Sequence, residues 1–154
     1  MVLFSNRSKL KSFRKYCIFS PLQLEILVTF GLCVLIWLIQ LLHYPSFKFY
    51  EEIHFPEAMI FHQRRISFIV IPLMFFELFI TGRSFYQAQN VYTITCLLLL
   101  VGIWLSTFSL QVPAHEKLIV KKDDQQIQKL VKTNWIRTIL WSLKLLVLLK
   151  QAYL

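Results

Sequence analysis

The sequence is poor in residues that form tight turns and in motifs that bind metals. It has only three glycines and three cysteines in 154 residues. Cys17, Cys33 and Cys96 lack the spacing of a metal-binding or redox motif, and no HExxH or paired ExxH motif occurs. Polar and apolar residues also do not alternate with a period of two, so nothing indicates β-strands. We expect Cys33 and Cys96 to be buried thiols, and the cysteines do not identify a compartment.

Apolar residues dominate the chain instead. Hydrophobic residues make up 56% of the sequence and aromatic residues 16%, more than a soluble domain of this length needs. A membrane-spanning helix needs roughly 20 mostly apolar residues, and four runs qualify as candidate spans, at about 21–44, 66–82, 91–112 and 135–150. Each run predicts a helix, because lipid offers no water to pair the backbone. The predicted fold is all-α: an integral membrane four-helix bundle with up-down-up-down topology, in one domain over residues 1–154.

Prolines and glycines mark the predicted ends of these helices. Ser20 is placed to cap the first helix ahead of Pro21. Each of the first three runs is followed by a residue that predicts a helix end, namely Pro45, Gly82 and Pro113. Pro72 lies inside the second run, where we expect a kink.

The linkers between the runs also have helical character. Pro56 stands at a helix-start position, and the Asp123–Asp124 pair predicts a cap for a helix that runs unbroken into the fourth span. The second and fourth helices are therefore predicted to extend beyond the membrane on the face opposite the termini. There they would roof a pocket at the level of the lipid headgroups.

The N-terminal arm, residues 1–20, is basic and partly amphipathic. Its five basic residues are Arg7, Lys9, Lys11, Arg14 and Lys15. This pattern predicts an interfacial anchor for anionic lipids. Basic flanks are normal for membrane spans, so the net charge of +9 does not indicate nucleic-acid binding. The first run is too long for a signal peptide and lacks a small-residue cleavage site, so we expect it to be retained.

The orientation in the membrane is only weakly indicated. Four spans place both termini on one side, with seven Lys and Arg residues there and eight on the opposite side. That balance does not decide between the two orientations. The dense charge of the arm, ahead of the first helix, favours cytoplasmic termini in the cell inner membrane.

Polar side chains collect at two levels of the predicted bundle. The far layer, opposite the termini, contains Gln40, His43, Tyr44, His62, Gln111, His115, Asn134 and Arg137, and the near layer contains Glu25, Glu77 and Lys144. Asn134, Arg137, Trp141 and Lys144 form one stripe of the fourth helix. A cation in lipid costs at least a few kcal/mol, so this stripe should face the bundle. Lys144 either snorkels towards the terminal side or pairs with Glu77 or Glu25.

The far layer admits more than one interpretation. The histidines form either an interfacial belt or a site in which one of them acts as a general base. A metal at His43, His62 and His115 is a weaker alternative, because no ligand motif supports it. No cofactor is predicted. For Glu77 and Lys144, a structural ion pair is favoured over a proton relay.

Several segments together resemble a known group of membrane proteins. They are "QVPAHEKL" (111–118), "LVKTNWIRTILW" (130–141), "HYPSF" (43–47) and "FHQRRIS" (61–67). They are similar to the anthrone-oxygenase-like family of small four-helix membrane proteins, whose members often have Asn in place of His115. The resemblance implies an oxygenase that acts on aromatic polyketide anthrones without a bound cofactor, with substrate entering sideways from the membrane.

The roles in such an enzyme follow from the resemblance and the far layer together. His62 or His115 would be the base that removes a C–H or phenol proton. Arg137, Asn134 and Gln111 would hold the resulting oxyanion, with Gln40, His43 and Tyr44 completing the substrate-binding set.

Two other functions use the same residues differently. A non-enzymatic membrane subunit or scaffold, as a homo-oligomer or in a larger complex, predicts polar groups that satisfy one another with no cavity. A small transporter predicts water reaching both layers, with Glu25, Glu77 and Lys144 continuing the path. The enzyme hypothesis predicts His62, His115 and Arg137 around a cavity that opens to lipid.

Overall fold

A computed structural model describes residues 19–153, and this part of the chain is all-helical, without a strand. The helices are α1 (Pro21–Phe49), α2 (Phe55–Gln87), α3 (Val91–Val120) and α4 (Asp124–Ala152). Three of them, α1 to α3, are long and apolar enough to cross a membrane. The five basic residues of the predicted arm lie outside the described residues.

The four helices lie side by side and are joined by short linkers. Helix α4 packs against both α1 and α3, and α2 also packs against both α1 and α3. Short linkers make successive helices antiparallel neighbours. The ends of α1 and α3 therefore meet the starts of α2 and α4 at one level, which is where the far layer lies.

Polar caps fix the start of three of these helices. Ser20 caps α1 through a reciprocal pair of bonds with Gln23, and the Asp123 carboxylate accepts from two backbone N–H groups of α4. Both caps are as predicted. The third cap, Asn90, was not predicted; its side chain accepts from the N–H groups of Tyr92 and Thr93 at 3.0 Å.

Asn90→Ala is expected to lower the free energy of unfolding by about 1 kcal/mol, the usual cost of losing an N-cap. The cap satisfies two of the N–H groups that the first turn of α3 leaves without a helical partner. The measurement is thermal or denaturant unfolding in detergent. Gln89→Ala, at the exposed neighbouring position, is the control and should change stability by less than about 0.5 kcal/mol. Equal effects of the two substitutions would mean that the cap contributes nothing.

The predicted helix ends at Pro45, Pro113 and Gly82 are wrong. Helices α1 and α3 continue beyond their prolines to Phe49 and Val120, and α2 continues beyond Gly82 to Gln87. Pro72 lies inside the continuous α2, and the kink expected there stays a prediction. The segment "QVPAHEKL" is therefore a helical wall of the far layer and not a helix stop.

A wide π turn precedes each of the two prolines. The Tyr44 N–H donates to the Ile39 carbonyl oxygen and the Val112 N–H to the Thr107 carbonyl oxygen, each five residues back. A proline in a helix lacks an N–H and clashes with the carbonyl four residues back. The π turn shifts the hydrogen-bond register immediately before the proline, and the helix continues. Such turns inside α-helices frequently occur at functional sites.

The apolar interior has two parts. One cluster lies over the far layer and closes that end of the molecule; its buried members are Ile39, Tyr44, Phe47, Phe55, Met59, Ala114, Leu118, Ile127 and Leu130. Lys122 holds the adjoining linkers together by donating to the carbonyl oxygens of Lys48 and Tyr50. The second cluster includes Leu32, Ile103 and Trp141 and lies between the two polar layers.

Candidate functional site

The far layer is organised around three side chains on α1 and α4. The Asn134 Nδ2 donates to the Gln40 Oε1 at 2.8 Å, and the Gln40 Nε2 donates to the Val131 carbonyl oxygen at 3.1 Å. The side-chain oxygen of Asn134, Oδ1, accepts from Arg137 Nη1 at 3.4 Å. Gln40 and Asn134 therefore satisfy each other and fix α1 against α4. They also hold the guanidinium of Arg137 from one side.

Arg137 is buried without a counter-ion. Its side chain lies among the helices with the residue only 6% exposed, and its Nε has no hydrogen-bond partner. Its guanidinium carbon lies 5.1 Å from the centre of the Trp141 ring. The two ion pairs found between Phe19 and Tyr153 both belong to Lys144. The charge of Arg137 is thus met only by neutral groups: one long bond to the Asn134 amide, the Tyr44 hydroxyl and one aromatic ring.

Gln111 closes the layer from α3, on the π turn that precedes Pro113. Its Nε2 donates to Thr133 Oγ1 at 3.0 Å, while its Oε1 is buried and has no partner. Gln40 lies on the corresponding π turn of α1. The two π turns therefore each bring a glutamine amide to the level of Arg137.

Three of the four histidines come together. The Tyr44 hydroxyl and His115 Nε2 are hydrogen-bonded at 2.9 Å. The His62 ring is stacked on His43 with 4.0 Å between ring centres and lies 6.0 Å from the His115 ring. One nitrogen of each ring is buried and unpaired: His43 Nε2, His62 Nε2 and His115 Nδ1. The fourth, His54, is exposed at the start of α2 and takes no part.

A cavity of about 370 Å³ adjoins Arg137. Its polar end is lined by Tyr44, Gln111, His115 and Arg137. Its walls come largely from α2 and α3 and include Ile66, Val70, Met74, Trp104 and Phe108. Small-molecule sites in proteins commonly measure roughly 300–1,000 Å³ and combine apolar walls with a few polar groups. The cavity has this composition.

The cavity opens on the outer surface between α2 and α3. The lining residues Ile71, Phe75 and Phe108 are 50%, 57% and 60% exposed. Phe68, Phe76 and Phe79 of α2 are also exposed. An apolar molecule could therefore reach Arg137 sideways, through an opening lined largely by hydrocarbon side chains.

A second cavity of about 500 Å³ lies on the other side of the histidine group. Its lining includes His43, His62, Glu57 and Arg65 together with several aromatic rings. The predicted trio is therefore divided: His115 and Arg137 line the first cavity, and His62 lines the second. Gln40 and Asn134 support Arg137 but are not among the residues that line either cavity.

The near layer is a complete ionic network between α1, α2 and α4. Lys144 Nζ lies 3.0 Å from Glu77 Oε1, 3.3 Å from Glu25 Oε1 and 3.0 Å from Thr29 Oγ1. Glu25 also accepts from the hydroxyls of Thr81 and Ser84, and Glu77 from Thr29 and the Trp141 indole. Lys144 therefore pairs with both carboxylates and does not snorkel. The sequence did not indicate the three hydroxyls or the role of Trp141.

No metal site is apparent in the segment that the structure describes. It contains no group of three or more His, Cys, Asp or Glu arranged to hold an ion. Cys33 and Cys96 are buried free thiols, as expected.

Comparison with known proteins identifies no relative. No family model, no curated protein and no solved structure matches the chain. The similarity to the anthrone-oxygenase-like family therefore stays a hypothesis based on short motifs. The geometry of the site is therefore the basis of the proposed function.

Proposed function

We propose that the protein is a four-span membrane protein in which α4 crosses the bilayer with α1 to α3. Arg137 and Lys144 make the sequence of α4 more polar than that of the other helices, but both are buried. Between Trp135 and Leu146, α4 exposes only apolar and aromatic residues, namely Trp135, Ile136, Ile139, Leu143 and Leu146. Intramembrane cations normally face the interior in this way. The starts of α2 and α4 would extend beyond the membrane, and both termini would be cytoplasmic, in the cell inner membrane.

We further propose that the far layer binds a lipophilic phenol- or quinone-like molecule and oxidises the phenolic form, such as an anthrone, with O₂. The observation that carries this proposal is the cavity beside Arg137. It is open to the lipid side and has a buried cation, an unpaired amide oxygen and an unpaired imidazole nitrogen among its lining residues. A scaffold would have satisfied these groups within the protein. In the near layer, by contrast, every polar group has a partner, which supports a structural role there.

The proposed chemistry begins with a proton transfer to His115. When His115 donates its Nε2–H to the Tyr44 oxygen, Nδ1 keeps a lone pair and can act as a general base. It would take a proton from the CH₂ group that lies between the aromatic rings of an anthrone. Arg137 would stabilise the oxyanion to which this charge delocalises.

The remaining steps consume O₂ and need no other oxidant. The carbanion form adds O₂ and takes back a proton to give a hydroperoxide on the same carbon. Loss of water from the hydroperoxide leaves a ketone. The net change is one CH₂ group plus O₂ to one C=O group plus H₂O, so all atoms and electrons balance. The role of this chain is to place the base and the cation on either side of the reacting group.

His115→Phe is expected to lower the oxidation rate of 1,8-dihydroxyanthrone by roughly 10²–10⁴-fold, the usual contribution of a general base. The rate is measured as O₂ consumption and quinone absorbance with the protein in lipid nanodiscs, after subtraction of the uncatalysed rate. The variant should stay folded, because Phe fills the ring position, at a stability cost of roughly 1–3 kcal/mol for the buried Tyr44 hydroxyl that loses its partner. His54→Phe, at the exposed histidine outside the site, is the matched control and should keep the wild-type rate. A wild-type rate no higher than that of empty nanodiscs would overturn the oxygenase proposal.

A further inference from the structure

The uncompensated charge of Arg137 indicates which kind of molecule the cavity takes. Moving an ion out of water costs several kcal/mol unless a partner offsets the loss. The acids that lie within the predicted spans, Glu25 and Glu77, are both bound to Lys144. Lys144 is seven residues from Arg137, or about 10 Å along the helix, too far for the same carboxylates to serve both cations. A bound anion would supply the partner that Arg137 lacks.

The other polar groups of the cavity add a second feature. Gln111 is fixed by its bond to Thr133, which leaves its Oε1 as an unpaired acceptor. The Trp104 Nε1 is a buried donor without a partner. A ligand that suits the cavity therefore has acceptor oxygens for Arg137 and Trp104 and one hydroxyl for Gln111.

We infer that the cavity binds a lipophilic hydroxy acid as its anion. The oxyanion pairs with Arg137, the hydroxyl donates to Gln111, and the hydrocarbon part lies between α2 and α3. This inference rests on the proposed binding function and adds the charge of the ligand, which a neutral phenol or quinone would not have. Fatty carboxylates and aromatic acids share the required chemistry.

Matched acid and ester probes test the inference. The probes are 3-hydroxytetradecanoate and 3-hydroxy-2-naphthoate, each beside its methyl ester, with binding measured by equilibrium dialysis against protein in nanodiscs of neutral lipid. Empty nanodiscs correct for partitioning. A hydrogen bond to a charged group contributes roughly 1.5–3 kcal/mol, so wild type should prefer the acid of at least one pair by roughly ten- to hundredfold. The pair that shows the preference identifies the fatty or the aromatic source.

Variants of Arg137 show whether this residue is the origin of the preference. Arg137→Gln should lose the preference and bind acid and ester alike, whereas Arg137→Lys keeps the charge and should retain part of the preference. Arg64→Gln, at an exposed position of α2 outside the cavity lining, is the control and should behave as wild type. Thermal unfolding confirms that each variant is folded.

The possible failures are distinguishable. Equal binding of acid and ester by wild type, or an acid preference that survives in folded Arg137→Gln, would overturn the anion inference and leave the proposed binding function standing. Binding of none of the four probes, together with no oxidation of the anthrone, would overturn both.

Discussion

Lys144→Met is expected to lower the free energy of unfolding by about 3–5 kcal/mol, the cost of removing one partner from a buried ion pair. Methionine is an unbranched side chain one atom shorter than lysine, and it supplies no charge and no donor. Glu25 and Glu77 would then lie close together without a cation, and Thr29 would lose the donor at its oxygen. The site is 0% exposed at Lys144, so water cannot replace the lost bonds. Unfolding by denaturing detergent, followed by circular dichroism, gives the difference.

A combined variant separates the effect of charge from that of packing. Lys144→Met with Glu25→Gln and Glu77→Gln leaves no unpaired charge, and it should recover a large part of the loss because neutral replacements of buried ion networks are often tolerated. Lys150→Met, at an exposed position of the same helix, is the matched control and should shift stability by less than about 0.5 kcal/mol. A loss below about 1 kcal/mol for Lys144→Met alone would show that the network does not hold the helices together.

The near layer shows which contacts can be predicted from charged residues within apolar sequence. Glu25, Glu77 and Lys144 were predictable as a group because charges are rare and costly within such runs. The choice between snorkelling and pairing was not predictable, since it depends on how α1, α2 and α4 are rotated about their axes. Thr29 and Thr81 carried no signal, because hydroxyl residues are common in membrane helices and bond to their own backbone as often as to a neighbour.

The helix ends show a different limit. Pro45 and Pro113 predict helix ends because a proline cannot donate the next helical bond. The π turns at Ile39–His43 and Thr107–Gln111 remove that obstacle, and they have no sequence signature comparable to a cap. The same turns place Gln40 and Gln111 at the level of Arg137. The π turns, which the sequence did not predict, are therefore part of the candidate site.

The candidate site was predictable in its polar part only. The stripe on α4 correctly placed Asn134 and Arg137 inside, and helix ends meeting at one level brought Tyr44 and His115 together. His62 was expected to lie with His115 and Arg137 around one cavity. It lines the second cavity instead, because a residue near the start of α2 can face either side of the histidine group. The apolar walls, such as Val70 and Trp104, could not be told from lipid-facing residues, since lipid and a cavity for a lipophilic ligand favour the same side chains.

Ser67→Trp is expected to weaken ligand binding and turnover strongly while the protein stays folded. Ser67 lines the cavity from α2 and is half-buried. An indole there would occupy the space that the hydrocarbon part of a ligand needs. A steric cost of roughly 2–3 kcal/mol weakens binding by about 30- to 150-fold. Binding of the hydroxy-acid probes and oxidation of the anthrone should fall together, because one cavity serves both.

Two further substitutions make this result specific. Phe68→Trp adds the same ring one residue further along, at a position that is exposed and outside the cavity lining, and it should leave binding and turnover unchanged. Ser67→Ala removes the hydroxyl without adding volume, and it should also behave as wild type. If Ser67→Trp is folded and still binds the probes as wild type does, the ligand lies elsewhere. The second cavity, beside His43 and His62, would then be the site to test, with Ala58→Trp as the corresponding block.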